Sequence, residues 1–487
     1  MLSAPPSLPR GVCRRARTSI LLLALVLLGC GGGGGGADPN ALALIAALNG
    51  GGSAPATPAA PPAVVPPVQP GTPLPQAVRV EVRGLRGSGL VLQNNGADDL
   101  AIAADGTRAF AARIPVGGAY QVSIKTLPQQ PPQTCKVTGG AGQVAADDSP
   151  MVSISCNKAP HFAFVTSLSQ TSVFGIDDTT GDLSPTGFSV SYGGLLASTI
   201  APSGRFLYRS DLAAKAVRGF SIDIDSGELR ELAGSPAATG QVDPYAMAMA
   251  PSGNFLYVAD RANNRIDIFA VDTATGALTL TPATAATGGT PMAMTITPDG
   301  RLLYVANDTA GSISIYTLDQ ATGAATLVDE TRFGPRARFM AVDAGGRFLY
   351  VTGGSDSSIY AFTIDGSNGT LSAVPGSPFV AGSNAQNLAI DPRGIALYVT
   401  NEGDDTVSAF AIHATTGSLT PLGSVLPAGH LPEGLAVDPV SASVYVAQQA
   451  NSAIGIYAAD AQSGSLTGSR TTAIANLPLG IAILGFP

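Results

Sequence analysis

Five polar side chains that are suited to ester chemistry occupy corresponding places in three successive repeats of the sequence. They are Arg336, Arg338, Gln386, Asn387 and Glu433. A guanidinium group can hold a carboxylate, a phosphate or a developing oxyanion through paired hydrogen bonds. A carboxylate near it can act as a general base on a water molecule. The set therefore predicts a site for a small anionic ligand, or for attack of water on an ester carbonyl, with Glu433 as the base and Arg338 as the cation.

Two interpretations of these residues stay open. In the structural one, Arg338 and Glu433 pair with each other or reach solvent, because an unpaired charge in a narrow, partly dry channel is costly. In the functional one they serve a ligand, and nearby positions in this and other repeats add binding candidates. Those further candidates are Asp243, Tyr245 and His430.

A repeat of about 47 residues must position these side chains. Its outline is Pro-x-Gly-x-x-Leu-Tyr-Val, and its aromatic residue occurs seven times, at Phe164, Tyr208, Tyr257, Tyr304, Tyr350, Tyr398 and Tyr445. The glycine of a recurrent Thr/Ser-Gly turn also occurs seven times, at Gly181, Gly227, Gly276, Gly323, Gly369, Gly417 and Gly464. Two independent landmarks thus indicate seven units.

Each unit has the pattern of four short strands. In one unit, Phe255–Ala259 is predicted as a strand, and Arg265–Val271 alternates polar and apolar residues as a half-buried strand does. Four strands at this period predict an all-β, seven-bladed β-propeller over residues 158–487. Leu477–Leu484 resembles an inner strand without a blade, and the first unit lacks one, so we expect the C-terminal strand to close the ring. A linear β-solenoid is the alternative, but it would use shorter repeats and would not require matching ends.

The repeat resembles two known families. Tyr398-Val-Thr-Asn401 matches the motif of the YVTN-type propeller repeats of bacterial and archaeal surface proteins. The Pro-x-Gly-x-x-Leu-Tyr-Val and Asp-x-x-Thr-Gly-x-Leu motifs resemble the seven-bladed lactonase family, typified by the propeller form of 6-phosphogluconolactonase. The resemblance covers the whole predicted ring. It implies a site at the channel mouth that uses arginine and acidic groups, and often histidine, for which only His430 lies near.

The N-terminal segment predicts export. Four arginines precede the apolar run Ile20–Leu28, which ends at Leu27-Leu-Gly-Cys30. This is typical of a signal peptide over residues 1–29, and the run is too short to span a bilayer comfortably. A cysteine directly after Leu-x-Gly resembles bacterial lipoprotein signals, which would leave Cys30 as an acylated N-terminus. Residue 31 is a glycine and not an acidic residue, which by resemblance to lipoprotein sorting indicates the outer membrane in a cell with two membranes. An unlipidated secreted protein is the alternative.

Two further segments separate this N-terminus from the ring. Residues 30–76, rich in Gly, Pro and Ala, are predicted to form a tether without a core. Residues 77–157 contain alternating strands and resemble a small Ig-like β-sandwich, which we interpret as a spacer or docking module. Cys135 and Cys156 are expected to form a disulfide in an oxidising compartment. A metal or catalytic thiol is the alternative for these two cysteines.

The charge balance limits the partners. The chain has a net charge of −8, and removing residues 1–29, which contain four arginines and no acidic residue, leaves 22 basic and 34 acidic side chains, or −12. This excess argues against binding to nucleic acid or to anionic lipid surfaces. We expect a monomer that meets the membrane through its lipid anchor and binds a small anionic ligand or an envelope protein.

No cofactor or metal is expected from the motifs. Loops facing the same mouth carry Asp260, Asn263, Asn307, Asp308, Asn401, Glu402, Asp404 and Asp405. Such residues are what β-turns need, and a Ca²⁺ site at Asp404 and Asp405 lacks a loop of the proper spacing. Three classes of function stay open: a hydrolase of lactone type, a non-catalytic binding propeller, and a structural surface-layer element.

Overall fold

The computed structural model describes residues 74–485, except 129–132, 147–148, 158–160, 193–196, 241–242, 335, 355 and 424. All described residues belong to one compact unit, Gly71–Pro487. The predicted signal peptide, Cys30 and nearly all of the predicted tether lie outside the described residues. In the part of the chain that is described, no helix is long and apolar enough to cross a membrane.

The described residues before 158 form a β-sandwich of two four-stranded sheets, with orders β4-β1-β8-β6 and β3-β2-β5-β7. The strands are β1 (Gln76–Arg83), β2 (Leu90–Asn94), β3 (Asp98–Ile102), β4 (Gly106–Ile114), β5 (Ala119–Thr126), β6 (Cys135–Thr138), β7 (Ala141–Gln143) and β8 (Met151–Cys156). Alternate residues of β1 are buried in a core that both sheets share, as period-two patterning requires. Cys135 and Cys156 lie directly opposite each other in the strand pairing and form the predicted disulfide.

The rest of the described chain forms seven antiparallel sheets arranged as blades. Blades 1 to 3 contain β9 (Phe162–Ser167), β10 (Gln170–Ile176) and β11 (Leu183–Ser191); β12 (Ser198–Ile200), β13 (Phe206–Asp211), β14 (Ala216–Ile222), β15 (Leu229–Glu231) and β16 (Ala237–Ala238); and β17 (Pro244–Met249), β18 (Phe255–Asp260), β19 (Arg265–Val271) and β20 (Leu278–Ala286). Blades 4 and 5 contain β21 (Pro291–Ile296), β22 (Leu302–Asn307), β23 (Ser312–Leu318) and β24 (Ala325–Arg332); and β25 (Ala337–Val342), β26 (Phe348–Gly353), β27 (Ser358–Ile364), β28 (Leu371–Ala373) and β29 (Phe379–Val380). Blades 6 and 7 contain β30 (Ala385–Ile390), β31 (Ala396–Asn401), β32 (Thr406–Ile412), β33 (Leu419–Pro421) and β34 (Leu426–Pro427); and β35 (Pro432–Val437), β36 (Ser443–Gln448), a 3-10 helix (Gln449–Asn451), β37 (Ala453–Ala459) and β38 (Leu466–Ala473), followed by β39 (Pro478–Leu484).

The C-terminal strand closes the ring, as the sequence predicts. β39 pairs antiparallel with β9, so blade 1 has the order β11-β10-β9-β39. His161 reinforces the seam, because its Nε2 lies 2.8 Å from Oδ1 of Asp438 in blade 7 and its Nδ1 contacts Asp178 in blade 1. Burial by itself lowers the pKa of His161, but the two carboxylates outweigh it and the pKa is raised.

The two sequence landmarks bind each other across blade junctions. At six junctions the tyrosine hydroxyl donates to the carbonyl of the turn glycine in the next blade, over 2.7–2.9 Å: Tyr208 to Gly276, Tyr257 to Gly323, Tyr304 to Gly369, Tyr350 to Gly417, Tyr398 to Gly464 and Tyr445 to Gly181. At the seventh junction, Phe164 lacks the hydroxyl. Glycine is required because the turn residue has positive φ, +77° at Gly276, where a Cβ would also lie 2.5 Å from the ring of Phe206.

The inner strands β12, β17, β21, β25, β30, β35 and β39 neighbour one another around the channel. In six of them the pairing with the second strand shifts immediately after the first residue. A bulge of this kind changes the direction of the side chains within it. The residues that directly follow the first one are Tyr245, Met292, Arg338, Gln386, Glu433 and Leu479. The bulges thus mark the strand openings at which the sequence places the candidate site.

Candidate functional site

Arg338 is a half-buried cation without a close ionic partner. Its side chain is 22% exposed, and its Nε lies 3.8 Å from Oδ1 of Asp308. That Nε is buried and has no hydrogen-bond partner among the described residues. Gly354 packs against the stem of Arg338, since a Cβ there would lie 2.6 Å from Cγ and 3.0 Å from Nε. The lack of a side chain at Gly354 therefore leaves the room that Arg338 occupies.

Arg336, in contrast, forms an ion pair with Asp308. Its Nε and one terminal nitrogen donate to the two carboxylate oxygens over 2.9 Å and 2.7 Å, a bidentate pair. The bonds to Asp308 raise the pKa of Arg336. The structure thus gives Arg336 a bonding partner within the protein, and Asp308 links it to Arg338.

Glu433 is half-buried near Arg338, in a setting that favours proton transfer. Burial raises the pKa of its carboxyl group, the charge of Glu402 raises it further, and Arg338 partly opposes both effects. A carboxyl group whose pKa is raised towards neutrality is a stronger base when it is ionised. Arg338 and Glu433, both described residues, do not form an ion pair with each other, which was one branch of the structural interpretation; the other branch was access to solvent, and the Arg338 side chain is 22% exposed.

Blade 6, between the blades of Arg338 and Glu433, positions Glu402 and the backbone of Glu433. Gln386 and Asn384 both donate side-chain hydrogen bonds to Oε2 of Glu402, the latter over 2.7 Å. The backbone N–H of Asn387 donates to Oγ1 of Thr400 over 3.0 Å, and that hydroxyl donates to the carbonyl of Glu433 over 3.1 Å. Gln386 and Asn387 therefore hold the surroundings of Glu433 through Glu402 and Thr400.

Tyr245 brings blade 3 into the same group. The guanidinium of Arg261 lies 4.2 Å from the centre of its ring, and Nε of Arg261 donates to Asp243 over 2.8 Å. Burial raises the pKa of Tyr245, and Arg261 opposes this effect while Glu433 adds to it. Arg338 also acts on Tyr245 electrostatically. Side chains from blades 3, 5 and 7 therefore converge at one mouth of the channel.

The structure places His430, which the sequence analysis named as a ligand-binding residue, at an exposed position: its side chain is 75% exposed and its Nδ1 lies 2.6 Å from Oδ2 of Asp405. Its role in binding stays a prediction. Sequence reasoning also missed one residue of this mouth. It did not name Arg261, although this residue directly follows Asp260 at the end of β18, where its neighbour Asp243 was already a candidate. Among the described residues, no cluster of three or more His, Cys, Asp or Glu side chains is arranged to hold a metal ion.

The arrangement combines a carboxylate base, Glu433, with a half-buried cation, Arg338, whose side chain is 22% exposed at the mouth. A water molecule near Glu433 would lose its proton to the carboxylate, and negative charge that develops on an attacked carbonyl oxygen would be stabilised by Arg338. Tyr245 offers a partly buried ring and hydroxyl beside them. These features suit the hydrolysis of an ester or the binding of a small polar molecule.

A family model described as a lactonase, 7-bladed beta-propeller, matches residues 199–336 and 330–481, which together span more than half of the chain. A structure from Bacteroides fragilis, assigned as a candidate 6-phosphogluconolactonase, is 19% identical, with a TM-score of 0.60 over 67% of this chain and 98% of that one. The periplasmic gluconolactonase of Pseudomonas aeruginosa is 20% identical, with a TM-score of 0.57 over 67% and 99%. At these identities the solved structures show the fold alone. No curated protein sequence matches the chain significantly.

Proposed function

Because this chain belongs to the seven-bladed β-propeller lactonase family, we propose that it hydrolyses a lactone at the mouth of its channel. The observation that carries the proposal is the convergence of Glu433, with its raised pKa, and Arg338, a half-buried cation whose Nε lies 3.8 Å from the carboxylate of Asp308. The family supplies the fold, whereas a reaction must be argued from the site itself. Glu433 and Arg338 are the residues to which we assign the chemistry.

The reaction divides into two steps. Glu433 takes a proton from water, the hydroxide oxygen bonds to the lactone carbonyl carbon, and Arg338 stabilises the resulting oxyanion. The tetrahedral intermediate then re-forms its C=O bond and breaks the ring C–O bond. The leaving alkoxide takes the proton from Glu433, which returns the base to its starting state. The product is an open-chain hydroxy acid, and no cofactor enters the balance.

The proposed substrate is an aldonolactone without a phosphate group. The sequence Leu27-Leu-Gly-Cys30 supports export and lipid anchoring in the cell envelope, which would separate the chain from cytosolic sugar phosphates. The solved relative from Pseudomonas aeruginosa, described as a periplasmic gluconolactonase, supports the same class. Arg336 and Arg261 are also bound by Asp308 and Asp243, so they are not free to hold a phosphate.

Hydrolysis of a panel of lactones tests the proposal. We expect the chain to open unphosphorylated aldonolactones in preference to 6-phosphogluconolactone and acyl-homoserine lactones. The rate should fall as the pH falls through the pKa of Glu433, because only its ionised form accepts a proton. Since that pKa is raised, the acid limb should lie above the ordinary value of 4.5 for glutamate. Proton release at a pH-stat measures both results, and a chain that opens no lactone of the panel would contradict the proposal.

A non-catalytic binding propeller is the second candidate. Two of the three arginines at the mouth, Arg336 and Arg261, are paired with carboxylates. These pairs make a rigid polar rim, which favours this second function. A rigid rim suits recognition without turnover. In that case the same lactones, or their open acids, should bind without being consumed, and calorimetry in the absence of turnover distinguishes the two functions.

Gly354→Ala tests whether the position of Arg338 matters. The new Cβ would lie 2.6 Å from Cγ of Arg338, so the guanidinium must move away from its place beside Glu433. Misplacing a catalytic group by about 1 Å can cost up to about 100-fold in rate, and we expect kcat/KM to fall roughly 10- to 100-fold. Gly366→Ala, also in blade 5, is the matched control, since nothing lies within 4 Å of a Cβ there. Equal kinetics for the two variants would remove Arg338 from the proposed mechanism.

A further inference from the structure

Every junction between blades contains one pair of facing residues that can be compared around the ring. One member is the second residue of the third strand of a blade, and the other directly follows the marker aromatic in the next blade. At six junctions both members are β-branched aliphatic residues that share one buried core cluster. These pairs are Val217 and Val258, Ile266 and Val305, Ile313 and Val351, Ile359 and Val399, Val407 and Val446, and Ile454 and Val165.

The junction between blades 1 and 2 is different, because both members of the pair are polar. Thr171 in β10 and Arg209 in β13 occupy the equivalent positions, and each is 0% exposed. Oγ1 of Thr171 and all three guanidinium nitrogens of Arg209 are buried without a hydrogen-bond partner among the described residues. Two facing apolar positions have thus been replaced together by hydrogen-bond donors.

The acidic groups around Arg209 and its neighbour Arg218 accept hydrogen bonds from residues other than Arg209. Oδ2 of Asp211 accepts Nε of Arg218 over 2.6 Å, and its Oδ1 accepts the backbone N–H of Ala214 over 2.9 Å. Glu231 is held by Arg218 and by the hydroxyl of Tyr192, each over 2.7 Å. Arg218 is itself the direct cross-strand neighbour of Arg209, so a second cation lies beside the first.

An unpartnered cation at this depth is costly. Burial lowers the pKa of Arg209 to about 10, which still leaves the guanidinium charged at neutral pH. A buried charge without a partner is strongly destabilising, because it has lost its hydration and gained no compensating bond. Water molecules could accept its hydrogen bonds, but they would add no negative charge to that of Asp211, which Arg218 already binds. An anion would satisfy both the donors and the charge.

We propose that the junction between blades 1 and 2 binds a small monovalent anion of the halide class, held by the guanidinium of Arg209 and the hydroxyl of Thr171. The ligand is an anion because Arg209 is a cation and both side chains carry buried polar groups without a hydrogen-bond partner among the described residues. It is monovalent because a single guanidinium, that of Arg209, lacks a partner there, and small because Arg209 and Thr171 are both 0% exposed, so protein encloses the site. This site is independent of the proposed lactonase site, and its role is to tie blade 2 to the ring.

Crystals of the full chain grown in bromide test the proposal without any variant. We expect an anomalous difference peak between β10 and β13, within hydrogen-bond distance of Arg209 and Thr171. A junction that contains ordered water and no bromide would overturn it. So would a guanidinium that is bonded by protein groups alone.

Thermal unfolding gives a second and independent measurement. Bromide should raise the Tm of the parent by about 2–4 °C as it replaces a bulky sulfonate at constant ionic strength, because an anion that binds only the folded state stabilises it. The double variant Arg209→Val with Thr171→Ile makes this junction like the other six, so it should fold and lose the dependence on bromide. An equal bromide response in parent and variant, or none in the parent, would contradict the proposal.

Discussion

Glu433→Gln should lower the kcat for lactone hydrolysis by about 10²–10⁴-fold, the usual contribution of a general base. The amide has nearly the shape of the carboxylate but cannot accept a proton from water. Because Arg338 and the blade 3 side chains are unchanged, KM should change little. Steady-state kinetics on the best lactone of the panel measures both constants.

Two controls test whether the loss of kcat comes from the missing base and not from a general effect of the substitution or from unfolding. Glu228→Gln makes the same chemical change in a surface turn of blade 2, where Glu228 pairs with Arg230, and should leave kcat unchanged. Glu433→Gln should also be folded, and at neutral pH at least as stable as the parent. The pKa of Glu433 is raised in the folded state, so its ionised form opposes folding above that pKa, and this cost is absent below the unfolded value. Unchanged turnover in a folded Glu433→Gln variant would show that another group is the base.

Removing residues 477–487 should prevent the propeller from folding as a closed ring. The deletion removes β39, in which Ile481 and Ile483 pack on the core between blades 1 and 7 and Leu484 on the core between blades 1 and 2. Fully burying one such side chain contributes about 1.5–3 kcal/mol. Leu484 is buried and the two isoleucines are partly buried, so together they contribute a substantial part of the 5–15 kcal/mol that typically separates folded from unfolded domains. The deletion also leaves β9 as an open edge that can pair with other chains. We expect aggregation, or loss of the cooperative propeller transition in calorimetry.

A shorter deletion provides the matched control. Removing only residues 486 and 487 leaves β39 complete, since the strand ends at Leu484, and should preserve the melting transition. The sandwich before the ring, with its own core and the Cys135–Cys156 disulfide, should stay folded in both deletions. A propeller that lacks residues 477–487 and still melts like the parent would show that closure contributes little.

The sequence by itself determined the architecture of the ring. The sequence shows a period of about 47 residues, four strands in each unit and a separated last strand. These patterns are local, and they can be recognised in the sequence because each blade repeats the same short-range requirements. The two landmarks that counted the blades are physically connected, since the tyrosine hydroxyl of one blade binds the turn glycine of the next. A residue type required at every junction must recur at every repeat, so it is visible without a structure.

The candidate site was predictable only as a set of positions. The repeat placed Arg338, Gln386 and Glu433 at corresponding strand openings, and the structure brings Arg338 and Glu433 together with Tyr245. The partners of these residues were not predictable, because they come from loops whose side-chain directions no repeat determines. Only the tertiary structure decided that Asp308 pairs with Arg336 and that the side chain of His430 is exposed.

Residues that differ from the repeat pattern also show what the sequence reveals and what only the tertiary structure reveals. Thr171 and Arg209 are visible in the sequence as two polar residues at positions that are aliphatic in the other six blades. Nothing in the sequence says that the two positions face each other, because they lie on different blades and are brought together only when neighbouring sheets pack. The sequence determined which residues differ, and the packing between blades decided that the two differences face the same buried junction.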